Sequence, residues 1–403
     1  MIARLNALAR ALFPEAAIVL VVVIASRSPS AHASIAGFAP VFALAVLATG
    51  LLLAWRFHRS RLAFASVLLT LTWLVMPHPH PSPGALALFH AAAALLPLNL
   101  LALAVTGERG VFSPAGIRRW AALALQVGVL ALGSRLGPQG LARIARLDLL
   151  TSSITSRVGL PAPAVLAFGA TLVLLATLWV RDPASPGRNL FWVSVASLAA
   201  VTLGRTGAEA ELCFAAGGLV LVLGVIEASY HLAYHDALTN IPGRRAFDEA
   251  LQRLGDHYAV AMVDVDHFKH FNDSHGHDAG DQVLRMVAAR LGAVAGGGTA
   301  YRYGGEEFAV LFPGKSAEES ATSMEAVRQT IADATFTIRS RLRPRRRPSE
   351  VKSKRRSSTR ATVTVSAGVA ERGGRLNSPA QVVEAADKAL YAAKAAGRNR
   401  VHT

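Results

Sequence analysis

The chain is poor in cysteine and in negative charge. It contains one cysteine, Cys213, among 403 residues, which excludes an intrachain disulfide and favours a buried structural thiol. It carries 26 acidic residues against 42 Lys and Arg residues, for a net charge of +16. Charged residues make up 17% of the chain and hydrophobic residues 52%, so an ordinary soluble enzyme over the whole length is excluded.

The apolar excess lies in the first 230 residues, where charged side chains are scarce. Eight runs approach the length that crosses a bilayer, at about residues 11–25, 36–56, 62–77, 84–105, 118–134, 160–180, 188–204 and 211–230. All five tryptophans lie in or near the ends of these runs, where amphipathic rings favour the headgroup region. We therefore predict an all-α transmembrane bundle of seven or eight helices over residues 1–233, with a sensory role.

The number of spans depends on the first run. Arg4 and Arg10 precede a short apolar core, and residues 31–33 have the small-x-small form of a signal-peptide cleavage site. An uncleaved span is favoured over cleavage, and the two alternatives correspond to eight and seven spans. A transporter is the alternative function for this half, but its spans carry few ionisable residues of the kind that mark an ion path.

Basic residues between the spans predict the orientation. Lys and Arg are retained on the cytoplasmic side, and Arg56, Arg59 and Arg61 share one loop of the alternating pattern. The loop 135–159 breaks this pattern, and its Leu and Ile spacing predicts an amphipathic helix on the outer interface. The pattern therefore predicts that residues 234–403 lie in the cytoplasm.

Beyond Tyr230 the pattern changes to short helices and strands. The apolar run Tyr258–Asp264 predicts a buried strand that ends in a carboxylate, a frequent ligand position in α/β folds. A helix is predicted over 378–396, with Ser378 as N-cap and Pro379 as its first residue. A lone Asp at a strand end is usually a cap or a solvated group, so the significance of Asp264 depends on its neighbours.

Residues 301–312 read YRYGGEEFAVLF, which predicts a hairpin. The Gly304-Gly305 pair favours a two-residue turn with positive φ. Glu306 and Glu307 are then expected to begin the second strand and to point to opposite faces. Because the glycines leave no side chains in the way, a phosphate or base can approach the backbone. The hairpin tip is predicted to hold a metal and a triphosphate, and a purely structural turn is the alternative.

Five motifs follow one another after residue 233. They are Asp236-x-Leu-Thr with Arg244-Arg245-x-Phe247; Asp264-x-Asp266-x-Phe268-Lys269-x-x-Asn272-Asp273 with Gly276-His277-Asp278-x-Gly280-Asp281; the signature 304–308; Thr364-x-Ser366-x-Gly368-x-Ala370; and Ala386-Asp387-x-Ala389-Leu390-Tyr391-x-Ala393-Lys394-x-x-Gly397-Arg398-Asn399. In this order they resemble the GGDEF-domain diguanylate cyclases, bacterial signalling enzymes that condense two GTP molecules into cyclic di-GMP. The resemblance covers residues 234–403.

The resemblance implies a nucleotidyl-cyclase-like α/β domain with a central, mostly antiparallel sheet flanked by helices. It implies that Mg²⁺, with Mn²⁺ as an alternative, is bound by Asp264, the Val265 carbonyl, Glu306 and Glu307. Asp264 and Glu306 are the implied catalytic pair, and Glu306 is also a candidate base. Each domain of the family holds one GTP, so a homodimer is implied.

The residues that would bind GTP follow from the same resemblance. Asn272 and Asp281 are implied to read the guanine edge, Lys269, Lys394 and Arg398 to neutralise phosphates, and Gly304 and Gly305 to let substrate approach the backbone. A nucleotide receptor that binds without turnover is the alternative to an enzyme. The intact acidic set disfavours it.

Two features depart from the family. An inhibitory Arg-x-x-Asp of many relatives would fall at 295–298, which read Ala-Gly-Gly-Gly here, so feedback through that site is expected to be absent. The segment Arg339–Arg360 holds nine Arg and two Lys against one Glu, or +10, and is predicted to be an inserted loop or extended hairpin. A solvated loop is favoured; contact with anionic lipid comes next, and no specific nucleic acid is expected. No phosphodiesterase domain is expected after Thr403.

Overall fold

The computed structural model of the chain describes all residues except 1, 28–36, 77–80, 146, 148, 151, 183–185, 204–206, 338–359 and 375. The chain divides into two compact units, Met1–Ser229 and Tyr230–Thr403.

The first unit is helical. Its helices are α1 (Ile2–Arg27), α2 (Ala39–Arg56), α3 (Ser60–Leu74), α4 (Pro83–Val105), α5 (Pro114–Leu136), α6 (Pro138–Ala145), α7 (Ser152–Val158), α8 (Ala162–Arg181), α9 (Gly187–Leu203) and α10 (Ala208–Tyr234). Each of the eight apolar runs coincides with one of the longer helices. The loop 135–159 contains two short helices, α6 and α7, in place of the single amphipathic helix predicted there.

Five described helices are long and apolar enough to cross a membrane, namely α2, α4, α5, α8 and α10. The apolar part of α1, Pro14–Ser26, and the helix α3 are shorter. The count of seven or eight spans therefore stays a prediction. The residues of the signal-peptide motif, 31–33, lie outside the described residues, whereas Cys213 is buried on α10 as expected.

Charged side chains pair inside the first unit. Glu15 of α1 is fully buried, and its Oε1 lies 2.7 Å from Nε of Arg188. Arg188, near the start of α9, also pairs with Glu227 of α10. The next residue, Asn189, packs so closely on Gly224 of α10 that a Cβ there would lie 2.0 Å from its Nδ2. These contacts join α1, α9 and α10, and the apolar periodicity did not indicate them.

The second unit is an α/β domain with a five-stranded sheet in the order β2-β3-β1-β6-β7. The strands are β1 (Tyr258–Val265), β2 (Thr299–Arg302), β3 (Glu307–Pro313), β6 (Val365–Glu371) and β7 (Val401–His402). Only the β6–β7 pair is parallel among the described strands. The predicted mostly antiparallel sheet is confirmed, and β1 matches the strand predicted at 258–264.

Helices cover both faces of this sheet. They are α11 (Arg244–Gln252), α12 (Phe268–His275), α13 (His277–Leu291), α14 (Ala317–Ala332) and α15 (Pro379–Ala395). Every residue of β1 is buried, as expected of a central strand with both faces covered. Ala261 and Val263 join the core that contains α13 and α14, whereas Val260 and Met262 join the core that contains α11 and α15.

Local signals set α15 as predicted. Ser378 accepts a hydrogen bond from the Gln381 backbone, and the Gln381 side chain accepts one from the Ser378 backbone. This capping box, followed by Pro379, begins the helix. Helix α13 begins at His277, and strand β6 begins at Val365, where pairing with β1 begins.

The basic insertion is framed by two short strands, β4 (Phe336–Thr337) and β5 (Arg360–Ala361), which pair antiparallel. This pairing agrees with a hairpin-like insertion at its base. Most of the insertion, residues 338–359, lies outside the described residues.

Candidate active site

The site is built at the end of β1. Asp264 stands opposite Glu307 of β3 and Ser366 of β6 in the strand registers. Side chains alternate along a strand, so Asp264 follows Val260 and Met262 toward the face that carries α15. There its Oδ2 lies 2.9 Å from Nζ of Lys394, one turn beyond the buried Leu390. The backbone N–H of Val265, the last residue of β1, donates to the Glu306 carbonyl at 3.4 Å.

The hairpin tip differs from the predicted two-residue turn. Strand β3 begins at Glu307, so Tyr303–Glu306 form the connection, and Glu306 does not start the second strand. Neither Gly304 nor Gly305 has positive φ. A Cβ at Gly304 would lie 2.6 Å from Glu307 Oε2, whereas one at Gly305 would meet no described heavy atom within 4 Å. Gly304 therefore makes room for the Glu307 carboxylate, and neither glycine is needed for left-handed backbone.

Arg302 holds the tip in shape. Its Nε donates to the Gly304 carbonyl at 3.2 Å and its Nη2 to the Gly305 carbonyl at 2.7 Å. Its Nη1 lies 2.7 Å from Asp236 Oδ1, which also accepts from the Thr239 backbone and hydroxyl. The guanidinium, with its fork of donors, thus bridges the opening motif and both glycine carbonyls.

The two acidic residues assigned to catalysis have perturbed titration. Burial raises the pKa of Asp264 above its usual value, although the Lys394 ammonium opposes this shift. The pKa of Glu306 is raised first by burial and then by the negative charge of Asp264. The Asp264–Glu307 register and the Val265–Glu306 backbone hydrogen bond place both acids at the same end of the sheet.

The residues present fit a magnesium ion. No group of three or more His, Cys, Asp and Glu side chains suited to a metal occurs among the described residues. Mg²⁺ is usually bound through one or two carboxylates, with waters and substrate phosphates as its other ligands. Asp264 and Glu306 supply that number, and burial, the largest cause of their raised pKa values, would be offset by a bound cation. Glu307 is exposed at the start of β3.

The residues assigned to guanine come together around α12 and α13. Asn272 Oδ1 is buried without a hydrogen-bond partner among the described residues. A Cβ at Gly280 would lie 1.9 Å from that oxygen, so the glycine makes room for the amide. Asp281 is half-exposed, with its Oδ2 3.9 Å from Nη2 of Arg285. A buried carbonyl oxygen without a donor costs about 1–3 kcal/mol, which a ligand N–H would relieve.

The three basic side chains assigned to the phosphates differ in their surroundings. Lys269 is exposed on α12, whereas Lys394 is bound to Asp264. Arg398 follows α15 in left-handed backbone at φ +62°, and its charge lowers the pKa of Asp264. Gly397, at φ +111°, permits the sharp exit from the helix.

Asp266 was not assigned a role from the sequence. It is buried and accepts from Thr364 Oγ1 at 2.7 Å, Ser366 Oγ at 2.7 Å and the Asn399 backbone at 3.0 Å. It therefore ties β1 to the strand β6 and to the segment that carries Arg398. Its place in the same motif as Asp264 was the signal available, but its partners are distant in sequence.

Comparison with known proteins finds relatives of the second unit. The family model described as "Diguanylate cyclase, GGDEF domain" matches residues 233–400. The chain is 39% identical over 175 residues to "Diguanylate cyclase VdcA" of Vibrio cholerae, covering 42% of this chain and 46% of that protein. It is 33% identical over 184 residues to "Response regulator PleD" of Caulobacter vibrioides, covering 44% and 37%. The chain thus spans less than half of the length of these curated relatives.

A solved structure is also similar. It contains the coiled coil and GGDEF domain of DgcB from Caulobacter crescentus in complex with c-di-GMP, and its sequence is 36% identical. The match covers 97% of that structure and 48% of this chain, at a TM-score of 0.41.

Proposed function

We propose that this chain, whose residues 233–400 form a GGDEF domain, is a diguanylate cyclase that condenses two GTP molecules into cyclic di-GMP and releases two pyrophosphates. The observation that supports the proposal is the strand register, which sets Asp264 opposite Glu307, together with the hydrogen bond from the Val265 backbone to the Glu306 carbonyl. Two acids beside a Lys394 ammonium match the needs of a metal-bound triphosphate.

Asp264, Glu306 and the Val265 carbonyl would hold Mg²⁺ or Mn²⁺, with Glu307 nearby. When bound, the ion supplies charge stabilisation at the α-phosphate and acidifies the attacking 3′-hydroxyl. Glu306 is the proposed base for that hydroxyl. Its raised pKa favours this role, because a base is more effective when its pKa approaches the working pH.

Asn272 and Asp281 would select guanine. The buried Asn272 Oδ1 accepts from a guanine N–H, and the Asp281 carboxylate accepts from the remaining donors of that edge. Adenine lacks this paired donor pattern and would leave Asp281 without its ligand donors. GTP is therefore the proposed substrate, and ATP is disfavoured.

Lys269, Lys394 and Arg398 would neutralise the phosphates. Lys394 is paired with Asp264 at 2.9 Å, so it can exchange this carboxylate for a phosphate oxygen. Gly305 leaves space beside the backbone at the hairpin tip. Gly304 and Gly305 thereby keep the path of the triphosphate free of side chains.

Because each domain would hold one GTP, bond formation requires two domains facing each other, and the active form proposed is a homodimer. The apolar helices of the first unit would embed the protein in the bacterial inner membrane as a sensory domain, with the cyclase in the cytoplasm. We also propose that cyclic di-GMP does not inhibit through residues 295–298, and that Arg339–Arg360 is a solvated loop, with anionic lipid as its alternative contact.

The test is turnover of GTP by the purified full chain with Mg²⁺, followed by product chromatography. Asp264→Asn and Glu306→Gln should each lower the rate of cyclic di-GMP formation by at least about 100-fold, since each removes a metal ligand and Glu306 is also the base.

Glu384→Gln is the matched control, because Glu384 is exposed on α15 and pairs with Lys388. Equal yields from all four proteins would reject the assigned site. GTP binding by the wild type without any product would instead favour a nucleotide receptor.

A further inference from the structure

The first unit contains a cavity of about 170 Å³ between α3, α4 and α5. Leucine, valine and alanine side chains form most of its wall. The polar exceptions are Thr72, Asn99 and Gln126, and no Asp, Glu, Lys, Arg or His belongs to the described residues that line it. A charged molecule would lose its hydration there without gaining a partner. The cavity therefore favours neutral ligands.

The two carboxamides face each other across α4 and α5. Asn99 Nδ2 donates to Gln126 Oε1 at 2.9 Å, and Gln126 Nε2 donates to Asn99 Oδ1 at 3.4 Å. A primary amide offers two N–H donors and two lone pairs, so this exchange uses half of the capacity of each side chain. Thr72 already donates to the Leu68 carbonyl at 2.9 Å. The two amides are thus the groups available to orient a polar ligand atom.

Helix α5 packs loosely on its neighbours. Among its described residues only Gly116 is buried, whereas Leu125 is 68% and Leu132 is 59% exposed. The Asn99–Gln126 pair is accordingly a main polar tie between α5 and α4. A ligand in the cavity would add apolar contact between helices that otherwise meet sparsely.

The size of the cavity limits the ligand. An engineered cavity of about 150 Å³ with apolar walls takes up benzene, and this cavity is similar at about 170 Å³. We propose that it binds a neutral, ring-sized molecule that carries one hydroxyl, carbonyl or N–H group, which Asn99 and Gln126 hold by hydrogen bonds. A lipid acyl chain would fill the apolar part but offers no partner to the amides.

The cavity lies in the unit that we propose to be a sensory domain. A sensory role for its ligand therefore rests on the proposed function. Binding itself can be measured without any turnover of GTP. The two proposals can therefore fail separately.

The experiment uses the full chain in phosphatidylcholine nanodiscs, with 4-fluorophenol and 4-fluorotoluene as probes followed by ¹⁹F NMR. Protein-free nanodiscs correct for partition into lipid. We expect saturable binding of 4-fluorophenol that is about threefold to tenfold tighter than that of 4-fluorotoluene, the usual contribution of one hydrogen bond. Asn99→Leu combined with Gln126→Leu should remove this preference while retaining binding of 4-fluorotoluene, because either amide alone can still bond the hydroxyl.

Ala131→Phe should abolish the saturable binding of both probes, because Ala131 lines the cavity. Ala122→Phe is its matched control on the same helix, since Ala122 is exposed and is not among the lining residues. Tryptophan-monitored unfolding of both variants checks that they fold.

Binding that does not saturate, or that Ala131→Phe leaves unchanged, would overturn the proposal. So would a preference for 4-fluorophenol that persists when Asn99→Leu and Gln126→Leu are combined. Saturable binding in a protein that forms no cyclic di-GMP would uphold this site and reject the proposed function. Cyclic di-GMP formation by a protein that shows no saturable binding would reject this site and uphold the proposed function.

Discussion

Buried charged side chains have different surroundings in the two units. In the helical unit, the fully buried Glu15 pairs with Arg188, which in turn pairs with Glu227. In the α/β unit, Asp264 is 6% exposed, and the opposing Lys394 leaves its pKa still raised. Paired charge in the first unit joins helices, whereas the buried acid of the second lies in the site that we propose binds a cation. The same residue types thus stabilise one region and, under the proposed function, bind a ligand in the other.

The largest expected effect breaks the pairing in the first unit. Arg188→Met leaves Glu15 buried without a counter-charge, and loss of one partner of a buried pair costs about 3–5 kcal/mol. Tryptophan fluorescence during denaturant unfolding should report this loss selectively, because all five tryptophans lie within residues 1–229.

Adding Glu15→Leu to Arg188→Met should recover most of the lost stability, since an apolar replacement of a buried pair is often neutral. If the single variant unfolds at the wild-type denaturant concentration, the pair does not hold α1 to α9 and the comparison with the second unit fails.

An intermediate effect is expected from Asp266→Ala in the second unit. Thr364, Ser366 and the Asn399 backbone lose their common acceptor, which should destabilise this unit by about 2–4 kcal/mol. The tryptophans do not report on it, so amide hydrogen exchange of residues 258–265 is the suitable measurement.

Asp273→Ala provides the control, because Asp273 is exposed on α12. Cyclic di-GMP formation should fall with Asp266→Ala and persist in the control. Unchanged protection of β1 in the Asp266 variant would mean that Asp266 does not organise the site.

The smallest effect concerns pH and Asp236. Burial alone would raise its pKa, but hydrogen bonds from Thr239 and Arg302 lower it below the usual value. The stability contributed by the ionised group is therefore present above the unfolded pKa of about 3.9 and is lost as the pH falls through the lower folded pKa. Because the group is partly exposed, the effect should be under about 1 kcal/mol.

Asp236→Asn should lower the exchange protection of residues 301–307 at pH 6. In the wild type this protection should decline further below about pH 4, and the decline should be smaller in the variant. Exchange rates corrected for intrinsic pH dependence provide the measurement. A variant with the same acid decline as the wild type would remove Asp236 from the group that supports the hairpin tip.

Part of this protein could be predicted from local sequence. Strand β1 follows from a short apolar run, and α15 follows from Ser378 and Pro379. The α/β unit and its mostly antiparallel sheet were implied by the resemblance of its motifs to the GGDEF family. The hairpin tip was predicted in position but not in geometry. Gly304 and Gly305 favour a two-residue turn, yet the bonds from Arg302 hold a longer connection without positive φ.

By itself the sequence determined where helices, strands and acidic motifs occur, because periodicity and capping depend on neighbours along the chain. Only the tertiary structure decided which polar groups meet. The partners of Asp266 lie 98, 100 and 133 residues away along the chain. Glu15 and its partner Arg188 lie near opposite ends of the sequence of the helical unit. Such pairs form because burial makes an unpartnered charge costly, and no local pattern specifies which distant residue will satisfy it.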